Sequence, residues 1–259
     1  MSLFIDTDAS MLPELSRYES SISEVAKTES IDLTGKIEVA KAEIGCELEK
    51  FITSLAGSDA QTMWRESSIA KLTTANVVVT PALWQWHIYQ TLAATYRDAY
   101  HSQLNTRYQA HFTEFAKLAS QAQATCLDTG LGIVWNPVRA AGVPLVRTSS
   151  GAMSGGGWFL RVAWTGMGDI EGAPGPMAQY PAPAGESMTI QATNPPVNVT
   201  GWNLYAGQIE TSLGLQNDVP VAPGSLWILL PSGFRVGRPP GTGQKPDELL
   251  RRKRILRRG

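Results

Sequence analysis

Three histidines and two cysteines make up the soft metal-ligating and thiol chemistry of this chain. His87 and His101 lie 14 positions apart, and His101 and His111 lie 10 apart. On one continuous helix those gaps separate the rings by about 21 and 15 Å, far beyond what a shared ion bridges. Cys46 and Cys126 have no CxxC spacing and read as isolated thiols, not as a disulfide frame or a metal site. No serine, histidine and aspartate, and no cysteine and histidine, stand in an order that prepares a nucleophile. The glycine-rich SSGAMSGGGW lacks the strand–GxxxxGK[ST]–helix context of a phosphate loop and reads as a turn. Asn198-Val199-Thr200 matches a glycosylation sequon, but no secretory signal accompanies it. The expectation is a protein without a catalytic centre, metal ion or organic cofactor.

The remaining chemistry is electrostatic and sits at one end. The whole chain carries a net charge of −1, so it has no overall bias toward nucleic acid. From residue 245 onward, however, seven lysines and arginines face Asp247 and Glu248, a net of +5. This segment, RPPGTGQKPDELLRRKRILRRG, begins as an extended linker because Pro239-Pro240 disfavours helix. Leu249 and Leu256 are seven apart, the spacing that a short helix places on one face. The arginines suit phosphate, whereas the apolar pairs Leu249-Leu250 and Ile255-Leu256 suit a protein groove with acidic neighbours.

The elements that position these groups change character near residue 130. Only three glycines and two prolines precede Gly130, out of 24 and 16 in the chain. Both residues disfavour helix interiors, by roughly 1 and 3 kcal/mol relative to alanine, so their depletion permits long helices and their enrichment favours turns between short strands. Residues 33–56 place Ile37, Ala40, Ile44, Leu48, Phe51, Ile52 and Leu55 mostly three or four apart, an amphipathic helix with Asp32 or Thr34 as its cap. A shorter helix is expected around 59–72. Thr80-Pro81 is a strong start signal for the next. Apolar and aromatic residues then recur to Leu118, predicting a helix over 81–125 of about 68 Å, with a bend near Asn105-Thr106 as the alternative. Beyond 130, strands are expected at 143–149, 157–165, 186–193, 201–207 and 225–230, the alternation and turn signals of a β-sandwich. Trp158, Trp164, Trp202 and Trp227 fall inside these strands and are expected mainly in the sandwich core. The fold class is therefore α+β multidomain: a helical domain over 1–130, an antiparallel sandwich over 131–240 and a basic tail over 241–259. The N-terminus lacks the basic start and apolar core of a secretory leader, and no run nears the ~18 apolar residues of a membrane span. Folding in a cytoplasm is the expectation.

TPALWQWHIYQTLAATYRDAYHSQLNTRYQ resembles the long helix of head-to-tail adaptor (connector) proteins of tailed phages. PPVNVTGWNLYAGQ, LGLQNDVPVAPGSLW and the basic tail together resemble a fibronectin-type-III-like module of phage virion proteins. In that module Gly201-Trp202-Asn203-Leu204-Tyr205 would form a strand, with Leu215-Gln216-Asn217 before the next. The resemblance spans most of residues 75–259. It implies a virion structural protein of the neck that forms a ring of twelve under a portal, extends the DNA channel and offers a surface to a tail protein. It further implies subunit contacts from the helix over 81–125, with Trp84, Ile88, Tyr96, Tyr100 and Tyr108 as candidates. The portal-docking segment would be Leu249, Leu250, Arg251, Arg252, Lys253, Arg254, Ile255, Leu256, Arg257 and Arg258. The smallest adaptors lack a β-sandwich, so that module would decorate the neck or support tail attachment. Two other readings stay open: a carbohydrate- or host-surface-binding module using exposed tryptophans, and a nucleic-acid-binding protein using the tail.

Overall fold

The computed structural model describes residues 1–6, 10–56, 69, 71–103, 106–151, 155–230 and 233–252. Mixed helix and antiparallel sheet make the chain α+β. It divides into two compact units: residues 7–135 with 246–259, and residues 1–6 with 136–245. The division therefore falls at Trp135/Asn136 and not at 130, and the chain passes between units three times. Residues 1–6 belong with the sheets, because Asp6 accepts hydrogen bonds from the Ala140 amide at 2.8 Å and Arg139 Nε at 3.4 Å. Residues 241–245 do too: buried Gln244 accepts from the Val138 amide at 2.6 Å and donates to the Asn136 carbonyl at 3.0 Å.

The first unit holds α1 (Leu12–Tyr18), α2 (Ile22–Thr28), α3 (Leu33–Ala56), α4 (Pro81–Gln103) and α5 (Gln109–Thr129). Asp32 Oδ1 accepts the Thr34 amide at 3.0 Å and starts α3, whose seven periodic apolar residues are all buried. The helix expected at 59–72 lies almost wholly outside the described residues. Thr80 Oγ1 accepts the Leu83 amide at 3.4 Å, and Pro81 opens α4 as its spacing predicts. The single long helix does not form; the interruption falls where the alternative, a bend near Asn105-Thr106, put it. α4 stops at Gln103, a 3-10 turn covers Thr106–Tyr108, and α5 runs back along α4. Tyr96 stacks on Phe115 at 5.4 Å while Tyr100 stacks on Phe112 at 6.5 Å, so rising numbers on α4 meet falling numbers on α5. The antiparallel hairpin lets two aromatic faces cover each other, which one straight rod would leave wet. The unit also contains a short antiparallel pair, β1 (Leu131–Ile133) and β9 (Glu248–Leu250).

The second unit has two antiparallel sheets. One contains β2 (Leu145–Ser150), β5 (Glu186–Gln191) and β8 (Trp227–Ile228), in the order β2-β5-β8. The other contains β3 (Gly156–Gly166), β4 (Ala178–Ala182), β6 (Val199–Gly207) and β7 (Gly214–Leu215), in the order β4-β3-β6-β7. Alternate residues of β3 and β6 (Trp158, Leu160, Val162, Trp164, then Trp202, Leu204, Ala206) share one buried cluster with Met188 and Ile190 of β5. The opposite alternation, Ala163 and Tyr205, packs with Leu213 in a second, smaller cluster.

Candidate docking site

Geometry at the chain's C-terminal end begins with a local fact about Gly130. It follows α5 with φ at +116°, and a Cβ there would meet both Leu249 Cβ and Arg251 Cγ at 3.0 Å. That missing side chain lets residues 249–251 lie against the end of α5. Alongside, Leu131, Gly132 and Ile133 pair with Leu250, Leu249 and Glu248. Asp247 fixes the approach: its amide donates to the Ile133 carbonyl at 2.8 Å, and its Oδ2 accepts the Trp135 amide at 2.9 Å. Arg251 Nε then donates to the Thr129 carbonyl at 2.9 Å, placing a cation on the negative end of α5. Gly130→Ala is expected to cost about 1–2 kcal/mol, read as a lower urea midpoint.

This arrangement places Leu249 and Leu250, the first two residues of the expected docking segment. They lie on a strand, so they point to opposite sides: Leu250 is 4% exposed and Leu249 is 41% exposed. Leu250 packs within the fold, and Leu249 keeps part of its surface. Arg251 is engaged with α5, and Arg252 is exposed. Lys253, Arg254, Ile255, Leu256, Arg257 and Arg258 lie outside the described residues.

The five candidate contact residues of the long helix fare unequally. Ile88, Tyr96 and Tyr108 are 0%, 1% and 3% exposed inside one cluster with Leu15, Ile22, Val25, Leu92 and Phe115. They are core residues of the chain itself, because the hairpin and the N-terminal helices cover the face that a straight helix would present. Trp84 and Tyr100 keep part of their surface; Trp84 meets Tyr18 edge-on at 5.8 Å. The histidines are separated as well. Buried His87 has Nδ1 2.7 Å from Ser10 Oγ and Nε2 3.2 Å from the Ile37 carbonyl. A carbonyl only accepts, so Nε2 donates to Ile37, while Nδ1 and the serine hydroxyl share the second hydrogen bond. His111 instead stacks on Tyr96 at 5.0 Å. Among the described residues no group of histidine, cysteine and acidic side chains has metal-binding geometry, and no helix is long and apolar enough to cross a membrane.

A groove of about 680 Å³ runs over α4 between α3 and α5. Buried Trp86, Ala93, Ala94 and Ala119 form its apolar part, and Glu43 and Glu47 of α3 stand on its wall. The short alanine side chains keep the helices' surfaces low and leave the space open. Spacing alone did not single out this groove, because its residues come from three helices and none belongs to a motif. Cys46, which is exposed, also lines it, whereas Cys126 is fully buried and its thiol is pushed up to about 11 by burial.

In the sheet unit, Trp164 and Trp202 are 1% and 0% exposed, so neither offers a platform to a sugar ring. Trp158 packs on Phe234 at 4.3 Å, and Trp227 stacks on the same ring at 6.0 Å. A polar cluster that sequence reading missed lies on the other face of β6. Glu171 accepts from Asn203 Nδ2 at 2.5 Å, Arg238 Nη2 at 2.6 Å and the Tyr205 hydroxyl at 2.7 and 2.8 Å. Asn217 extends it by donating to Asn203 Oδ1 at 2.9 Å and accepting the Leu204 amide at 2.8 Å. These bonds tie the loops around residues 171, 217 and 238 to β6.

Compared with known proteins, the chain matches no family model, no curated protein and no solved structure.

Proposed function

We propose that the chain is a non-enzymatic assembly protein of a phage neck, an adaptor that joins a portal to a tail through its basic C-terminal segment. The observation that carries this reading is the anchoring of that segment. Strand β9, the Asp247 contacts and the Arg251–Thr129 bond hold its root rigidly, and KRILRRG follows the described residues directly. A fixed root with a short basic and apolar extension is suited to repeated weak docking around a ring, where multivalency multiplies modest single affinities. The sheet order supports the module reading: β4-β3-β6-β7 follows the C′-C-F-G order of immunoglobulin-type sandwiches, with β2 and β5 in the B and E places. That is a fold-level analogy, and it gives the second unit a decorating or tail-supporting role.

The test uses a truncation after Arg252, since cutting before β9 would remove buried Leu250 from the fold. Full-length protein is expected to co-sediment with portal rings of the same virion, and the truncated protein to stay folded and remain in the supernatant. Equal co-sedimentation of both forms would remove the docking role. Binding of both forms to duplex DNA, with a difference that vanishes at high salt, would favour the nucleic-acid reading instead.

A further inference from the structure

We infer that the groove between α3 and α5 is the seat of the chain's own C-terminal segment, with Ile255-Leu256 over the apolar floor and the arginines beside Glu43 and Glu47. The first support is where the described chain ends and in which direction. β1 leaves the end of α5, and β9 runs antiparallel to β1, so it returns toward Thr129. At Arg251 the chain is bonded to the last carbonyl of α5. Val77 also pairs antiparallel with Ile133, so β9 runs the same way as the segment that leads into α4, the direction in which α4 passes back along α5 and past Gln123 and Ser120, both of which line the groove. From Thr129 to Ala119 of the floor is about 15 Å of helix, and the five residues from Arg251 to Leu256 span about 17 Å when extended. Ile255-Leu256 therefore comes within reach of the floor.

Charge complementarity is the second support. Beyond Arg252 the cations Lys253, Arg254, Arg257 and Arg258 flank the apolar Ile255-Leu256 pair on both sides. The groove answers with the same pattern reversed, two carboxylates beside an alanine-lined floor. Glu43 is held in place by the neutral Gln90 Nε2 at 2.6 Å and keeps its full charge for a partner, whereas Glu47 shares its charge with Lys50 at 2.7 Å. Arg97 also stands on the wall; Asp98 lies 3.8 Å from its Nε but is shared with Lys36, so Arg97 offsets part of the acidic charge. Charged rims fix orientation and register, while the apolar pair gains from leaving water. This seat does not depend on the adaptor reading; if both hold, the segment rests here before a portal takes it up.

Native Cys46 lines the groove and supplies the reporter. Leu256→Cys in the full chain, treated with oxidised glutathione, is expected to give an intramolecular disulfide between Cys46 and the introduced thiol. The product runs as a compact monomer on a non-reducing gel. Buried Cys126, with its thiol pushed up to about 11, stays silent. Replacing both acids isosterically, Glu43→Gln with Glu47→Gln, keeps the shape and is expected to slow the cross-link about fivefold at low salt. Absence of the disulfide, or an unchanged rate in the double variant, would overturn the seat. Disulfide-linked dimers persisting on dilution would overturn it too, by assigning the groove to a second copy. Co-sedimentation with portal rings is read separately, so loss of one result leaves the other standing.

Discussion

Tyr96→Ala is expected to destabilise the helical unit by about 3–5 kcal/mol, the cost of emptying a large aromatic site in a packed core. Tyr96 is 1% exposed and meets Phe115, His111 and Tyr108 with ring centroids at 5.4, 5.0 and 6.1 Å. These partners come from the turn and helix on the far side of the hairpin, so the ring holds α4 to α5. Its hydroxyl is only 3.5 Å from Ser21 Oγ, a weak contact, and Tyr96→Phe is expected to cost under about 1 kcal/mol. The pair of variants separates packing from hydrogen bonding. Urea unfolding followed by helical circular dichroism, with sedimentation of the native protein alongside, makes the measurement. An unchanged midpoint combined with lost self-association would return Tyr96 to the interface. Trp84 and Tyr100, which keep some surface, are the better probes of an interface.

The difference between these residues shows where the sequence is legible. α3 is found to the residue because its cap and its 3.6-residue period are both local signals. The start of α4 is equally local, a threonine hydroxyl and a proline. Its end is not. The apolar period of α4 continues into α5 almost without a break, and what bends the chain back is the meeting of Tyr96 and Tyr100 with Phe115 and Phe112. The strands with clear alternation, β3 and β6, are legible for the same local reason. β1, β7 and β9 are two or three residues long, and β4 contains Pro181, so pattern alone does not mark them. Leu249 and Leu256 suggested a helical face, but β1, more than 110 positions away, imposes strand geometry on Leu249. The groove and the Glu171 cluster are assembled from separated segments and had no compact signature to read.

Glu171→Ala is expected to cost the sheet unit about 2–4 kcal/mol, because it strands three donors at once. The Glu171 carboxylate is 13% exposed, while the Arg238 side chain is 51% exposed and regains water when its partner goes, which holds the loss below that of a fully buried pair. The pH dependence follows from the same contacts. Burial alone would push Glu171 up, but the hydrogen bonds from Arg238, Tyr205 and Asn203 outweigh it and hold the carboxyl below its ordinary 4.5. A folded value below the unfolded one means the contribution is complete above about pH 4.5 and is lost as pH falls through the folded value. Tyr205 moves the other way: burial first, then its bond to Glu171, raise the phenol above its ordinary 10.0. Its contribution is complete below pH 10.0 and declines as pH rises toward the folded value. Glu171→Gln keeps an acceptor for the Tyr205 hydroxyl but removes the carboxylate titration. The stability gap between wild type and Glu171→Gln is therefore expected to be constant near neutrality and to shrink as pH falls below about 4.5. A gap that stays the same down to pH 3 would mean that Glu171 is not held as a carboxylate by its three donors.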